Sequence, residues 1–337
     1  MLTDAYNRPV KDLRISVTDR CNFRCTYCMP LDEYVWIDRR EILTFEEISR
    51  IARLFTGLGV EKIRITGGEP LVRKDLHSLI RMLSSLEGVD DLCLTTNASL
   101  LTEQIDDLAA AGLKRINVSI DTLDPQKFKQ ITKRGDLSKV LDGIFAAKKL
   151  GLHPIKINAV IERGTNEDDI IPLVEFSREN GFAMRFIEYM DVGNANNWIS
   201  EKIVSKKEIL ERIDARYPLR KVGRDNGTAP SVDYEFIDGV GSLGVIASVT
   251  EPFCASCTRA RLTADGKLVT CLFSDHGHDL KSLIRSGATD EQLTEVIASV
   301  WQARTDRYSD ERLAAMNSPE GYQPKTHHKM EMITLGG

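Results

Sequence analysis

The sequence predicts an α/β protein, an incomplete TIM-type (βα)6 barrel followed by a C-terminal α+β extension. Three observations carry this. Short runs of branched apolar residues alternate with amphipathic helical segments through six units, the alternation stops near residue 195, and glycines, polar residues and thiols collect where the runs end. Near-continuous apolar strands alternating with helices imply a parallel sheet, and right-handed crossovers curl a consecutive series towards a barrel. Six units are too few for the closed eightfold form.

The elements follow in order. Residues 12–17 (DLRISV) read as a strand that runs directly into a thiol-rich loop at 18–30. Leu43-Thr44-Phe45-Glu46-Glu47 reads as an N-capped helix start, continued by Ile48, Ile51, Leu54 and Phe55 at helical spacing and ended by Gly57 and Gly59. Strands are expected at 61–66, 91–96, 115–120, 154–161 and 183–189, with helices at 75–86, 102–111, 125–132, 138–150 and 168–180. From 192 the chain turns polar and small (VGNANNW), which sets a domain boundary near 195, giving 1–195 and 196–337. Beyond it we expect a helix at 205–215, a loop at 223–231 (GRDNGTAPS), short strands at 232–237 and 243–249, helices at 277–286 and 289–303, and a polar tail. Trp36, Trp198, Trp301 and the mid-strand Cys93 read as packing residues.

Composition narrows the function. A net charge of −5 gives no basic field to steer the chain onto nucleic acid. No apolar run approaches the ~20 residues that span a bilayer, and the N-terminus lacks an apolar signal region, so a cytoplasmic protein without membrane contact is expected. There, seven cysteines are reduced thiols or metal ligands, in a 3 + 3 + 1 pattern.

The first group is Cys21, Cys25 and Cys28, within TDRCNFRCTYCMP. The C-x3-C-x2-C spacing differs from the paired C-x2-C arms of tetrahedral zinc sites. Three thiolates can hold three irons of a cubane cluster and leave the fourth open to a ligand; a zinc site completed from elsewhere is the alternative. Other strand ends deliver Gly67-Gly68-Glu69-Pro70, Thr95-Thr96-Asn97, Ser119 with Asp121, and Met190 with Asp191. Glycines at 67 and 68 suit either a tight turn or close approach of backbone to a ligand.

The second group is Cys254, Cys257 and Cys271, with an Asp265-Gly266 hairpin signal between them. A two-residue turn pairs Ala264 with Lys267 and Cys271 with Ala260, bringing Cys271 back beside Cys257. That register sets Arg259 and Arg261 on the face opposite Cys271 unless a bulge intervenes. Zinc completed by His276 or His278 and a second open cubane both remain readings. Arg14, Arg64 and Lys156 lie on three strands, and a triphosphate of roughly four negative charges needs several such donors in one mouth.

The cysteine loop closely resembles the cluster motif of the radical S-adenosylmethionine (SAM) superfamily. With KIRITGGEPLVRKDL, RINVSIDTLD, MRFIEYMDVGN, FCASCTRARLTADGKLVTCLF and the terminal Gly-Gly, nearly the whole chain resembles that superfamily's GTP 3′,8-cyclases of molybdenum-cofactor biosynthesis. The resemblance implies two 4Fe-4S clusters, on Cys21, Cys25 and Cys28 and on Cys254, Cys257 and Cys271. It implies that SAM is reduced to methionine and a 5′-deoxyadenosyl radical, which takes the 3′ hydrogen of GTP before C3′ adds to guanine C8. SAM contacts fall on Tyr27, Gly68, Ser119 and Met190, with the GGEP run at the SAM amino group. GTP contacts fall on Arg14, Arg64, Thr95, Lys156, Arg259 and Arg261, and Gly336 and Gly337 reach into the site. An electron donor, a following enzyme that takes the cyclised product and a homodimer are further implications. TTNA at 95–98 stands where that family commonly has TTNG. A peptide maturase would carry more cysteines after the barrel, and a non-catalytic zinc-binding module would leave the strand cations unexplained.

Overall fold

The computed structural model describes residues 1–29, 33–324 and 327–336. In chain order the elements are β1 (Asp12–Ser16), α1 (Phe45–Gly57), β2 (Lys62–Thr66), α2 (Leu76–Ser84), β3 (Asp91–Thr96), α3 (Ile105–Ala110), β4 (Arg115–Ser119), α4 (Pro125–Thr132), α5 (Leu137–Lys149), β5 (Ile155–Ile161), α6 (Ile170–Asn180) and β6 (Ala183–Glu188). The remainder gives α7 (Lys206–Asp214), β7 (Leu219–Gly223), β8 (Val232–Phe236), β9 (Ser242–Ile246), β10 (Arg259–Leu262), β11 (Lys267–Val269), β12 (His278–Asp279), α8 (Leu280–Arg285), α9 (Asp290–Gln302), α10 (Tyr308–Met316) and α11 (Met332–Leu335). The expected start of α1 is a capping box: Glu47 N donates to Thr44 Oγ1 at 3.2 Å and Thr44 N to Glu47 Oε2 at 2.7 Å.

All strands join one sheet in the order β12-β11-β10-β1-β2-β3-β4-β5-β6-β9-β8-β7. From β10 to β9 the pairs are parallel, and the outer pairs are antiparallel. The C-terminal third is therefore hydrogen-bonded to both edges of the six-stranded series, through β10 on β1 and β9 on β6.

The expectation of near-continuous apolar strands is corrected by the burial pattern. Leu13, Ile15, Ile63, Ile65, Leu94, Ile116, Val118, Ile157 and Ala159 form the buried core with the helices. The intervening positions are Arg14, Arg64, Thr95, Asn117, Lys156, Asn158 and Arg185, and Cα partners such as Arg14 and Arg64 put them on one face. One face is packed under helices and the other is polar, a division that suits a ligand-lined interior.

Trp198 and Trp301 are buried as expected, at 5% and 1% exposure. Trp36 is half-buried against Tyr34, with the Arg24 guanidinium over its ring. Among the described residues no helix is long and apolar enough to cross a membrane.

Candidate active site

A cavity of about 300 Å³ is lined by residues at the C-terminal ends of β1 to β6, and both cysteine groups border it. Cys21, Cys25 and Cys28 sit on a compact loop in which Cys28 N and Met29 N both donate to Cys25 O, at 3.1 and 2.8 Å. Arg24 Nη1 donates to Cys21 O at 2.9 Å. Gly68 N and Glu69 N then donate to Thr18 O and Arg20 O, at 2.7 and 2.8 Å. A Cβ at Gly68 would lie 2.3 Å from Arg20 O, and one at Gly67 would lie 2.8 Å from Thr18 O. Glycine is required there because two backbones meet: the segment after β2 braces the cysteine loop.

Burial pushes the Cys21 and Cys28 thiols up to about 12 and raises Cys25 likewise. Three buried thiols crowded on one loop ionise together only beside a cationic partner, which a metal cluster supplies. Tyr27, directly before Cys28, donates its hydroxyl to Asp121 Oδ2 at 2.8 Å, and Val160 N holds Asp121 Oδ1 at 2.9 Å. Ser119 and Met190 line the same cavity. Glu69 accepts from Leu71 N at 3.1 Å, Thr96 Oγ1 at 2.7 Å and Asn97 N at 2.7 Å. Burial outweighs these donors and lifts its carboxyl to about 7.

Cys254, Cys257 and Cys271 line the same cavity. The hairpin register here corrects the sequence reading. Arg261 pairs with Val269 and Leu262 with Leu268, one residue away from the expected register. The loop is the three-residue kind: Gly266 N donates to Thr263 O, Gly266 adopts φ +81°, and Thr263 N donates to Lys267 O. A one-residue shift inverts the faces, so Arg259, Arg261 and Cys271 all line the cavity. Arg259 Nη2 donates to Cys257 Sγ at 3.1 Å. Burial opposes ionisation of Cys257, but Arg259 and Arg304 prevail and bring its thiol down to about 6. Burial pushes Cys271 up to about 12. His276 and His278 are exposed and do not line the cavity, so neither completes a zinc site with this trio. Among the described residues no three Cys, His, Asp or Glu side chains are grouped to hold a single ion. An all-thiol set of three fits a cubane cluster with one open iron.

Of the strand cations, Arg14, Arg259 and Arg261 line the cavity, as does Thr95, whereas Arg64 and Lys156 do not. These two stand within their strands on the same polar face, beside Arg14 and Asn117 respectively. The cations run along one face of the sheet because strand alternation, not loop position, directs them. Arg64 Nε, Asn117 Oδ1 and Asn158 Oδ1 are buried without hydrogen-bond partners, a deficit that a polar ligand would fill. Sequence reasoning missed Arg185, which the same alternation places on this face and whose guanidinium burial and neighbouring Arg64 and Arg115 hold below its ordinary range. It also missed Arg224, stacked on Phe253 with Arg259 on the same ring at 5.0 and 4.9 Å. Gly336 O accepts from Arg261 Nη1 at 3.0 Å, which ties the tail to a cavity-lining arginine; Gly337 lies outside the described residues.

Residues 15–177 match the family model described as Radical SAM superfamily, and residues 182–310 match Molybdenum Cofactor Synthesis C. A GTP 3′,8-cyclase of Acidothermus cellulolyticus is 46% identical over 360 residues, covering all of this chain and 99% of that one. The chain belongs to the GTP 3′,8-cyclase family. A GTP 3′,8-cyclase of Staphylococcus haemolyticus is 44% identical over 342 residues, with 100% and 99% coverage. GTP 3′,8-cyclase 1 of Mycobacterium tuberculosis is 46% identical, covering 99% of this chain and 95% of that one. Streptococcus suis SuiB, solved with its precursor peptide SuiA, aligns with a TM-score of 0.62 at 17% identity over 91% of this chain and 67% of that one. That likeness is one of fold. Membership in the radical SAM superfamily brings with it SAM and one 4Fe-4S cluster.

Proposed function

We propose that this chain is a radical SAM GTP 3′,8-cyclase, converting GTP to 3′,8-cyclo-7,8-dihydro-GTP at the start of molybdenum-cofactor biosynthesis. The observation that carries the reading is that two cysteine trios share one cavity, with Arg14, Arg259 and Arg261 on its lining, in a chain whose relatives of that name match it end to end.

The finer assignments belong to the same proposal. Strands in unbroken sequence order from β1 to β6, with helices packed in order outside them, support an incomplete (βα)6 barrel, and a boundary near 195 separates it from the extension. Cys21, Cys25 and Cys28 would hold the cluster that reductively cleaves SAM by one electron. Tyr27, Gly68, Ser119 and Met190 would seat SAM, with Asp121 fixing the Tyr27 ring through its hydroxyl. Cys254, Cys257 and Cys271 would hold a second cluster facing the purine, and Arg259, beside Cys257 Sγ, keeps that thiolate charged. Arg14, Arg64 and Lys156 would meet the triphosphate, Thr95, Arg259 and Arg261 would also contact GTP, and Gly336 with Gly337 would reach into the site. The setting proposed is the cytoplasm, with a reducing donor, a following enzyme and a homodimer.

Anaerobic metal analysis tests the cluster assignment: two cubanes require about eight irons per chain, and stoichiometric zinc without iron overturns it. Reduced, reconstituted protein with SAM should form 5′-deoxyadenosine faster with GTP than with ATP. Equal rates overturn the substrate.

A further inference from the structure

We infer that Arg8, in the N-terminal segment, and Arg304, after α9, are positioning residues for the second cysteine trio, holding its backbone carbonyls. The inference rests on the second-cluster reading above.

Arg8 Nη1 donates to Cys254 O at 2.8 Å and to Asp306 O at 2.9 Å. Arg304 Nη1 donates to Cys257 O at 2.8 Å. The two guanidiniums are tied together through Asp4, which meets Arg8 Nε at 2.6 Å and Arg304 Nη1 at 3.4 Å. Asp306 Oδ2 accepts from Arg304 Nε at 3.2 Å and from the hydroxyl of Thr270, directly before Cys271, at 2.6 Å. One network of two cations and two carboxylates thus reaches a carbonyl of Cys254, a carbonyl of Cys257 and the neighbour of Cys271.

The two arginines and Asp4 are buried. Arg8, Arg304 and Asp4 are 3%, 4% and 5% exposed. Trp301 Nε1 fixes the segment further by donating to Arg8 O at 3.1 Å. Burying two guanidiniums with their carboxylate partners is costly when water or local backbone could satisfy these carbonyls. The arrangement makes sense where carbonyl orientation sets where the thiols point. The first trio is held differently, by Arg24 only three residues from Cys21. Although that loop is also braced by distant backbone, the carbonyls of Cys21 and Cys25 accept from donors within four residues, whereas those of Cys254 and Cys257 accept from guanidiniums distant in sequence.

The test is iron and sulfide analysis with EPR of the reduced protein, using the full chain in two backgrounds. In Cys21→Ala/Cys25→Ala/Cys28→Ala, iron reports the second trio alone, about four per chain. Adding Arg8→Met should cut this at least threefold. Arg8→Lys, which keeps the charge but lacks the fork to reach Cys254 O, Asp306 O and Asp4 together, should retain iron with a shifted EPR spectrum. In Cys254→Ala/Cys257→Ala/Cys271→Ala, Arg8→Met should leave the iron of the first trio unchanged. Unchanged iron and EPR at the second trio in both Arg8 variants overturn the inference alone. Equal iron loss in the two backgrounds marks general destabilisation and also overturns it. A first background that binds no iron even with Arg8 intact overturns the second-cluster reading and this inference with it.

Discussion

Arg14 of β1 and Arg261 of β10 are Cα partners on neighbouring parallel strands, and both guanidiniums line the cavity. Burial, then Arg64, Arg261 and Arg259, hold Arg14 well below its ordinary range; burial and Arg259 bring Arg261 to about 10. Like charges set side by side oppose folding and invite an anion. Arg14→Met should therefore stabilise the ligand-free protein by about 0.5 kcal/mol while weakening GTP binding roughly 10- to 100-fold, the worth of a charged hydrogen bond. Thermal melts and GTP titration check this; unchanged GTP affinity would remove Arg14 from the phosphate site.

Glu69 gives the site a pH dependence. Its buried carboxyl titrates at about 7 instead of the ordinary 4.5. A raised carboxyl adds stability below its unfolded value and loses that contribution as pH rises through 7, where the charge must be carried in the fold. An ammonium group docking on Glu69 requires the carboxylate. SAM affinity should rise by up to about tenfold per pH unit below pH 7 and level off above it, with a proton released on binding. Calorimetry in buffers of different ionisation heat counts that proton, and Glu69→Gln should abolish it. Proton release that persists in the variant refutes the role.

Asp191, at the end of β6, ties down the tail. Its carboxylate meets Arg312 Nη1, Lys329 Nζ at 2.8 Å, and the hydroxyls of Tyr308 and Tyr322. Burial opposes its charge, but Arg312 and Lys329 prevail and hold it far below the ordinary carboxylate range. Asp191→Asn leaves two buried cations uncompensated and should cost roughly 3–5 kcal/mol. A depressed carboxyl contributes stability above its unfolded value of about 3.8 that is lost as pH falls through its folded value, so the variant should lack part of the acid limb in urea titrations. Proteolysis should also cut the tail after 324 faster. A variant matching the parent in both respects rules out the anchor.

Ala98 sits at φ +59°, a left-handed backbone conformation that favours glycine. A left-handed alanine costs roughly 1–2 kcal/mol, partly offset by its buried methyl. Ala98→Gly should be neutral to stabilising by about 1 kcal/mol. Clear destabilisation in chemical denaturation contradicts this.

Strands and helices of the first two thirds were legible because each carries a strong period and ends on glycine, a cap or a thiol. Both cysteine trios were legible from spacing alone. The polar face was overlooked because Ile and Leu dominate each strand to the eye, although Arg14, Arg64, Lys156 and Arg185 recur in alternating phase. The hairpin register failed on one choice. Asp265-Gly266 suits a two-residue turn, but Thr263 and a left-handed Gly266 close a three-residue one. β7, α10 and α11 were missed, β12 took the start of the helix expected at 277–286, and the contacts fixing α10 and the tail come from Asp191 and Arg261, distant in sequence.

β9 and β10 cap opposite edges of the parallel series yet are separated by only twelve residues, 247–258. Until β9 and β10 are synthesised, β6 and β1 respectively present an unpaired row of backbone donors and acceptors. A nascent or truncated chain ending before residue 240 should therefore be adhesive at both edges, and pairing β10 with β1 requires closing a loop of some 245 residues. The last third of the chain is what makes the first two thirds safe to expose to neighbouring molecules.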